Sequence, residues 1–325
     1  MKIEKADIFI DIIDHYGDMW WVLEFLLMNR LSLFWRIVTD DPSKMEAFIT
    51  QSGSELPPYE IQEKKDYDPH TASPLIILWL HAHIDFSHIP AWRGVIRVNY
   101  LTYDPWYEKI HGIEHIASTG ESPIREIVCS PLPTLGGVWK YETTESSRAS
   151  WLIKMHLPNN LKEKIWIPLF CYKETLEHLD RKDIPKNSII FLIGNTLAWE
   201  SAHEQIITLP WMKRDDLWDL IDLADISVLR GEISSAYGLT SGKPYLWDMY
   251  KELGGWNHDE SEWFLSFISA DISYRWLHDT MNGWEKWNIH DILDIYQNHP
   301  FSTPHEIPDF RETLQKTIDS FGFSL

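Results

Sequence analysis

Short apolar runs alternating with helix-compatible stretches constrain this chain more than any other feature. Ile8–Ile13, Leu33–Val38, Leu75–Leu80 and Val95–Tyr100 read as strands, with helices expected over Met19–Asn29 and Pro42–Thr50. A polar, Pro-containing loop is expected after the second helix. The segment from Tyr141 to Lys164 is polar, and strands then restart at Trp166–Tyr172, Ile189–Ile193, Ile206–Leu209, Ile226–Leu229 and Tyr245–Trp247. Helices fit Leu217–Leu223 and Ser261–Ile268, and the amphipathic tail Asp309–Phe321 fits a closing helix. Runs apolar on both faces and separated by helices specify a parallel sheet covered on each side. The pattern gives two successive Rossmann-like α/β domains, 1–155 and 156–305, with a closing helix over 306–325.

In such folds ligands meet the carboxyl ends of the strands. Arg230-Gly231-Glu232 follows one of them, and Ser234 and Ser235 open the next helix. Glycine lets the backbone approach an anion, and the free N–H groups of a helix start favour negative charge. Glu232 would repel a phosphate and suits a sugar hydroxyl instead, although a plain strand-to-helix loop has the same composition. Asp14 and Asp18 flank a Tyr-Gly turn after the first strand. Two carboxylates so placed can converge on one cation, or Asp18 can simply cap the helix that follows. Phe170 and Tyr172 share one side of a strand end, so both can stack on a base, or one can enter the core. Leu209 to Asp216, with Trp211 and Arg214, is a strand-to-helix loop suited to a backbone contact with a base.

Other chemistries find no support. Gly-x-Gly-x-x-Gly is missing after the first strand and no Gly-x-x-x-x-Gly-Lys-Ser/Thr occurs, against a two-domain dehydrogenase and a P-loop enzyme. Asp85 with His83 or His88 lacks a fourth metal ligand. Cys129 and Cys171 form neither a metal spacing nor a disulfide framework, and Cys129 has nothing to activate it. With 29 basic against 49 acidic side chains the net charge is −20, which argues against nucleic acid or an anionic membrane as partner. The start of the chain carries no signal-peptide pattern and no run has the length of a spanning helix, so a reduced cytoplasm is expected.

Asp7-Ile-Phe9, Asp14-His-Tyr-Gly-Asp18, Phe170-Cys171-Tyr172, Leu209 to Asp216, Arg230-Gly231-Glu232-Ile233-Ser234 and Gly242 to Tyr250 stand in this order. Weaker landmarks are Asn99-Tyr100-Leu101, His111-Gly112, Gly136-Gly137, Asn282-Gly283 and Pro308-Asp309-Phe310. Taken together they resemble the EarP family, arginine rhamnosyltransferases that modify translation elongation factor P, along nearly the whole chain. The resemblance implies a GT-B glycosyltransferase, two Rossmann-like domains facing across a cleft, that inverts the anomeric centre in one displacement without metal or cofactor. It implies dTDP-β-L-rhamnose as donor, held by the second domain, and an arginine of elongation factor P as acceptor on the first. Asp18 then becomes the base and Asp14 the group that orients the arginine, with Glu232 on the sugar or acceptor side. Phe170, Tyr172, Trp211 and Arg214 would hold thymine, and Arg230, Gly231, Ser234 and Ser235 the rest of the nucleotide.

The chain departs from the family at Trp20, where glycine is usual, at Ile233, where Asp is expected, and at Arg214, which replaces a glutamine. The loop Pro131 to Gly137 also differs. Trp20 and Ile233 make another nucleotide sugar the alternative donor. A non-catalytic binder of elongation factor P is the alternative from another class, and retention of all three acids, Asp14, Asp18 and Glu232, speaks against it.

Overall fold

A computed structural model describes residues 2–323 except 13–16, 29–30, 80–81, 83, 85–92, 100–108, 110–113, 117–122, 133–134, 136, 139, 141–145, 181, 183, 195–202, 250, 253–254, 257, 299–300 and 302–306. The chain divides into two compact units, Met1–Trp139 with Ile307–Leu325, and Lys140–Glu306.

The first unit holds β1 (Lys5–Ile10), α1 (Gly17–Met28), β2 (Phe34–Thr39), α2 (Pro42–Ser52), β3 (Tyr59–Glu63), β4 (Leu75–Trp79), β5 (Gly94–Asn99), β6 (Glu114–Ile116) and β7 (Pro123–Val128). Its sheet runs β3-β2-β1-β4-β5-β7-β6, parallel except where β6 meets β7. Ile8, Ile37, Ile77 and Ile96 follow the register from β2 through β5 and are all buried, as a sheet covered on both faces requires. Asp41 caps α2 by accepting from the Lys44 N–H at 3.0 Å, ahead of Pro42 in the first turn.

Asp7 lies in the middle of β1 among apolar neighbours, fully buried. It faces Arg36 on β2 and takes the guanidinium bidentately, Nε to Oδ1 at 2.9 Å and Nη2 to Oδ2 at 2.7 Å. Tyr67 Oη (2.8 Å), the Ser73 N–H (2.8 Å) and Ser73 Oγ (2.6 Å) also donate to it. Burial works against the Arg36 charge, but hydrogen bonding and the charge of Asp7 outweigh it and raise the Arg36 pKa. Burial and the same carboxylate push the Tyr67 phenol well up, so it stays a donor. The acidic landmark of the first strand is therefore an internal ion pair that ties β1, β2 and the segment before β4 together.

The second unit holds α3 (Arg148–Lys154), β8 (Ile165–Phe170), α4 (Lys173–Glu177), β9 (Leu179–Asp180), β10 (Ser188–Ile193), β11 (Ile206–Leu209), α5 (Arg214–Leu223), β12 (Ser227–Arg230), α6 (Gly231–Ser241) and β13 (Tyr245–Asp248). Helices α7 (His258–Phe267), α8 (Ile272–Asn282) and α9 (Ile289–Asn298) follow. Its five-stranded sheet is wholly parallel, in the order β11-β10-β8-β12-β13. The divide expected at 155 thus moves to 139/140. Trp151 of α3 packs on Trp166 and Phe191 at 5.4 and 5.5 Å, and Arg148 binds Asp225 at 2.7 Å and the Leu223 carbonyl at 3.0 Å.

The tail returns to the first unit as α10 (Phe310–Ser320), capped by Asp309, whose side chain accepts from the Arg311 N–H at 2.9 Å. Val138 exchanges backbone hydrogen bonds with Pro308 and Phe310 at 3.1 Å each. Gly137 has φ +80, and a Cβ there would stand 2.4 Å from the Pro308 carbonyl oxygen, so the closure needs glycine at this position.

The described elements not expected from the sequence include β3, β6, β7, α3, α4, α8 and α9. β3 falls in the segment read as a loop and lies at the sheet edge, where its residues Tyr59-Glu-Ile-Gln-Glu63 remain partly exposed. Helices α8 and α9 were not anticipated, and α8 buries His278, Thr280 and Asn282, which dilutes the apolar period.

Burial pushes the His278 imidazole below its usual value of 6.5, against the pull of Asp279 and Glu262 and with Arg275 adding to the push; Ser261 Oγ lies 3.3 Å from Nδ1. The folded state keeps the ring neutral, whereas the unfolded chain takes up a proton below about 6.5. The contribution of His278 is therefore present above that pH and is lost as pH falls toward the folded pKa. We expect the melting temperature to fall between pH 7 and pH 5, with a shallower fall in H278N; parallel slopes in the two proteins would contradict the assignment.

Candidate active site

In the second sheet, β8 is flanked on one side by β10, the next strand of that sheet along the chain, and on the other by β12. The crevice beyond the carboxyl ends of β8 and β12 is therefore the topological switch point, where α/β folds place ligands. Phe170 and Tyr172 come from the end of β8, Arg230 and Gly231 from the end of β12, and Trp211 from the loop after β11.

These side chains gather around one group. The Arg230 guanidinium lies over Phe170 (4.5 Å), Trp211 (5.1 Å) and Tyr172 (5.4 Å), and Phe170 meets Trp211 edge-on at 5.8 Å. Among the described residues its hydrogen bond is a long one, 3.5 Å from Nη1 to the Cys171 carbonyl. Burial lowers the Arg230 pKa, against the opposing pull of Tyr172, Cys171, Asp248 and Glu174. Trp211 is 48% exposed, so the cluster opens to solvent on its side. Gly194, with φ +66, follows β10 beneath that indole, and a Cβ there would lie 3.0 Å from the ring.

Gly231 begins α6 at φ +69, and its carbonyl accepts from Trp247 Nε1 at 3.1 Å. Arg230, the N-cap of α6, makes no capping hydrogen bond with its side chain, and a helix start of this kind favours an anion. Ser234 is buried and its hydroxyl donates to the Arg230 carbonyl. Ser235 is fully buried, with its hydroxyl 2.9 Å from Tyr245 Oη. Ser235, expected at the donor, instead turns its hydroxyl into the core. Glu232 stands half-buried in the same first turn. Arg214 sits apart from the expected base-binding role. It is buried at the start of α5, Nη1 on Asp215 at 2.9 Å and the guanidinium 5.8 Å over Trp218.

Asp248, not singled out in the sequence, ends β13 opposite Arg230 in the register and is fully buried. It accepts from the Tyr172 N–H at 2.6 Å and from Thr175 Oγ1 at 2.8 Å, which fixes the start of α4 and one wall of the aromatic cluster. Asn282 holds the next turn, accepting from the Met249 N–H and donating to the Trp247 carbonyl, both at 2.9 Å. A carboxylate closing an otherwise apolar strand was the available signal for Asp248.

In the first unit Asp18 lies in the first turn of α1, half-buried. Just after β1, Asp11 binds Lys64 at 2.6 Å, and the Ile12 N–H donates to Asp40 at 2.9 Å. A helix N-terminus favours the ionised carboxylate, the form that binds a cation. Asp14 lies outside the described residues, as do His83, Asp85 and His88. Trp20 packs edge-on against Phe48 of α2 at 5.8 Å. Both thiols are buried and pushed up, Cys129 by burial and Cys171 by burial and Asp248. Among the described residues no group of three or more His, Cys, Asp or Glu is placed to hold a metal, and no helix is long and apolar enough to cross a membrane.

Residues 79–319 match the family model of the elongation factor P rhamnosyltransferase EarP. The protein-arginine rhamnosyltransferase of Pseudomonas aeruginosa is 22% identical over 360 residues, covering 97% of this chain and 94% of its own. A solved structure from work on EarP-mediated arginine glycosylation of elongation factor P superposes with TM-score 0.51 at 15% identity, over 98% of this chain and 94% of that one. A putative UDP-N-acetylglucosamine 2-epimerase from Listeria monocytogenes superposes with TM-score 0.55 at 8% identity, over 97% and 95%. The structural likenesses concern the fold: two parallel sheets flanked by helices, of the GT-B type.

Proposed function

The chain belongs to the EarP family of elongation factor P rhamnosyltransferases, and from that membership we propose that it transfers L-rhamnose from dTDP-β-L-rhamnose to an arginine of elongation factor P. The observation that carries the donor half is the aromatic and cationic cluster of Phe170, Tyr172, Trp211 and Arg230 beside the start of α6. Flat rings suit a nucleobase, and the N–H groups of a helix start with a neighbouring guanidinium suit its diphosphate. The acceptor half rests on family membership and on Asp18.

A guanidinium is a poor nucleophile, because it is protonated at neutral pH and its lone pairs are delocalised. Asp14 orients it, and Asp18 accepts its proton as nitrogen bonds to C1 of the sugar. The bond from C1 to the phosphate oxygen breaks with its electron pair on dTDP, and the anomeric centre inverts. Glu232 supports the sugar hydroxyls, and the first turn of α6 holds the departing diphosphate. The substrates are the nucleotide sugar and the folded translation factor; the reaction as written uses no cofactor.

Release of dTDP from dTDP-rhamnose, followed by chromatography, tests this reading. Release should require elongation factor P and should vanish when the arginine at the tip of its modified loop is replaced by lysine. Equal release without the factor would remove the acceptor assignment. Failure with dTDP-rhamnose but success with another nucleotide sugar would favour the altered-donor reading that Ile233, half-buried in the first turn of α6, motivates.

A further inference from the structure

We propose that Arg230 and the donor's nucleobase are alternative occupants of one aromatic slot, and that the diphosphate draws the guanidinium out to admit the base. The site thereby selects a nucleoside diphosphate over the bare nucleoside. The inference rests on the donor reading above and adds to it an order of events and a residue that sets specificity.

The geometry points this way in three respects. The guanidinium lies over the rings of Phe170, Trp211 and Tyr172 at 4.5 to 5.4 Å, so a flat group stacking on those same faces would meet it. Its polar contacts are sparse: among the described residues, a 3.5 Å hydrogen bond to a carbonyl for a group that carries five donors. The cation is thus held mainly by ring faces, an interaction weaker than a charge-assisted bond to phosphate. Finally, Arg230 immediately precedes α6, so its own backbone adjoins the N–H groups that would receive the phosphates. A rotation about side-chain bonds carries the guanidinium from the rings toward that anion without moving the strand.

Asp248 keeps the slot in place during the exchange. Its carboxylate binds the Tyr172 N–H and Thr175 and does not follow the guanidinium, so the wall formed by Tyr172 remains when Arg230 leaves. The exposed edge of Trp211 gives the base its way in.

Calorimetric titration of the full chain with thymidine and with dTDP tests the exchange through a change of sign. In R230A, dTDP should bind at least tenfold more weakly, whereas thymidine should bind several-fold more tightly because the slot is open. R230K, which keeps the charge but has no planar head, should retain more dTDP affinity than R230A and should also admit thymidine better than the parent. W211A should weaken both ligands. If R230A weakens both ligands, the guanidinium is a stacking platform and the exchange is overturned while the donor site stands. If the parent protein binds no dTDP, the donor reading itself fails and the exchange with it. Thermal melts of each variant separate these results from loss of fold.

Discussion

D18N lowers turnover by about 10²–10⁴-fold, the range for loss of a positioned general base, and leaves donor affinity unchanged. The amide keeps the size of the carboxylate but can neither accept the proton nor offset the charge of the arginine. Asp18 occupies the first turn of α1, where an acidic side chain also favours the helix. Were that its whole contribution, D18N would cost at most about 1 kcal/mol of stability through the helix dipole and turnover would persist. A melting curve together with kcat and KM for dTDP-rhamnose separates the two. A stable protein that binds donor and has lost kcat meets the expectation; unchanged kcat would contradict it.

R36M has the largest effect on stability. It removes the bidentate partner of a fully buried carboxylate and leaves Asp7 hydrogen-bonded to neutral donors only, with Arg93 as the remaining nearby cation. Breaking one side of a buried ion pair costs about 3–5 kcal/mol, a large share of the roughly 5–15 kcal/mol that a domain has in total. Arg36 also binds Thr71 through its hydroxyl at 3.2 Å and its carbonyl at 2.9 Å, so the segment leading into β4 loosens as well. Chemical denaturation should show the first unit unfolding at lower denaturant, with the second unit less affected. A variant within 1 kcal/mol of the parent, the median worth of an exposed pair, would contradict the account.

Much of the fold was legible because parallel strands announce themselves. Ile206–Leu209 occupies the expected bounds, and β1, β2, β4, β5, β8, β10, β12 and β13 begin within three residues of their apolar runs. β3 escaped because an edge strand need not be apolar, and α8 because its buried face carries His278, Thr280 and Asn282. The domain divide shifted because α3 looks polar in sequence, yet Trp151 and Arg148 commit it to the second unit.

The site was legible in its parts and less so in its arrangement. Phe170, Tyr172, Trp211, Arg230 and Gly231 come together at the switch point of the second sheet. Spacing alone could not reveal that Arg230 would lie on the rings themselves, since that depends on which way a long side chain folds back. Nor could it reveal that Ser235 turns into the core toward Tyr245, because the helical phase of α6 is fixed by packing. Asp248 reads as part of an apolar strand until its partners, Tyr172 and Thr175, are found some 70 residues earlier in the chain.

The most direct measurement is the intact mass of elongation factor P after incubation with this protein and dTDP-β-L-rhamnose, followed by fragmentation to locate the change. The account predicts a gain of one deoxyhexose on a single arginine side chain, present with the parent protein and lost with D18N. An unmodified factor, under conditions where donor binding is demonstrated, would contradict it.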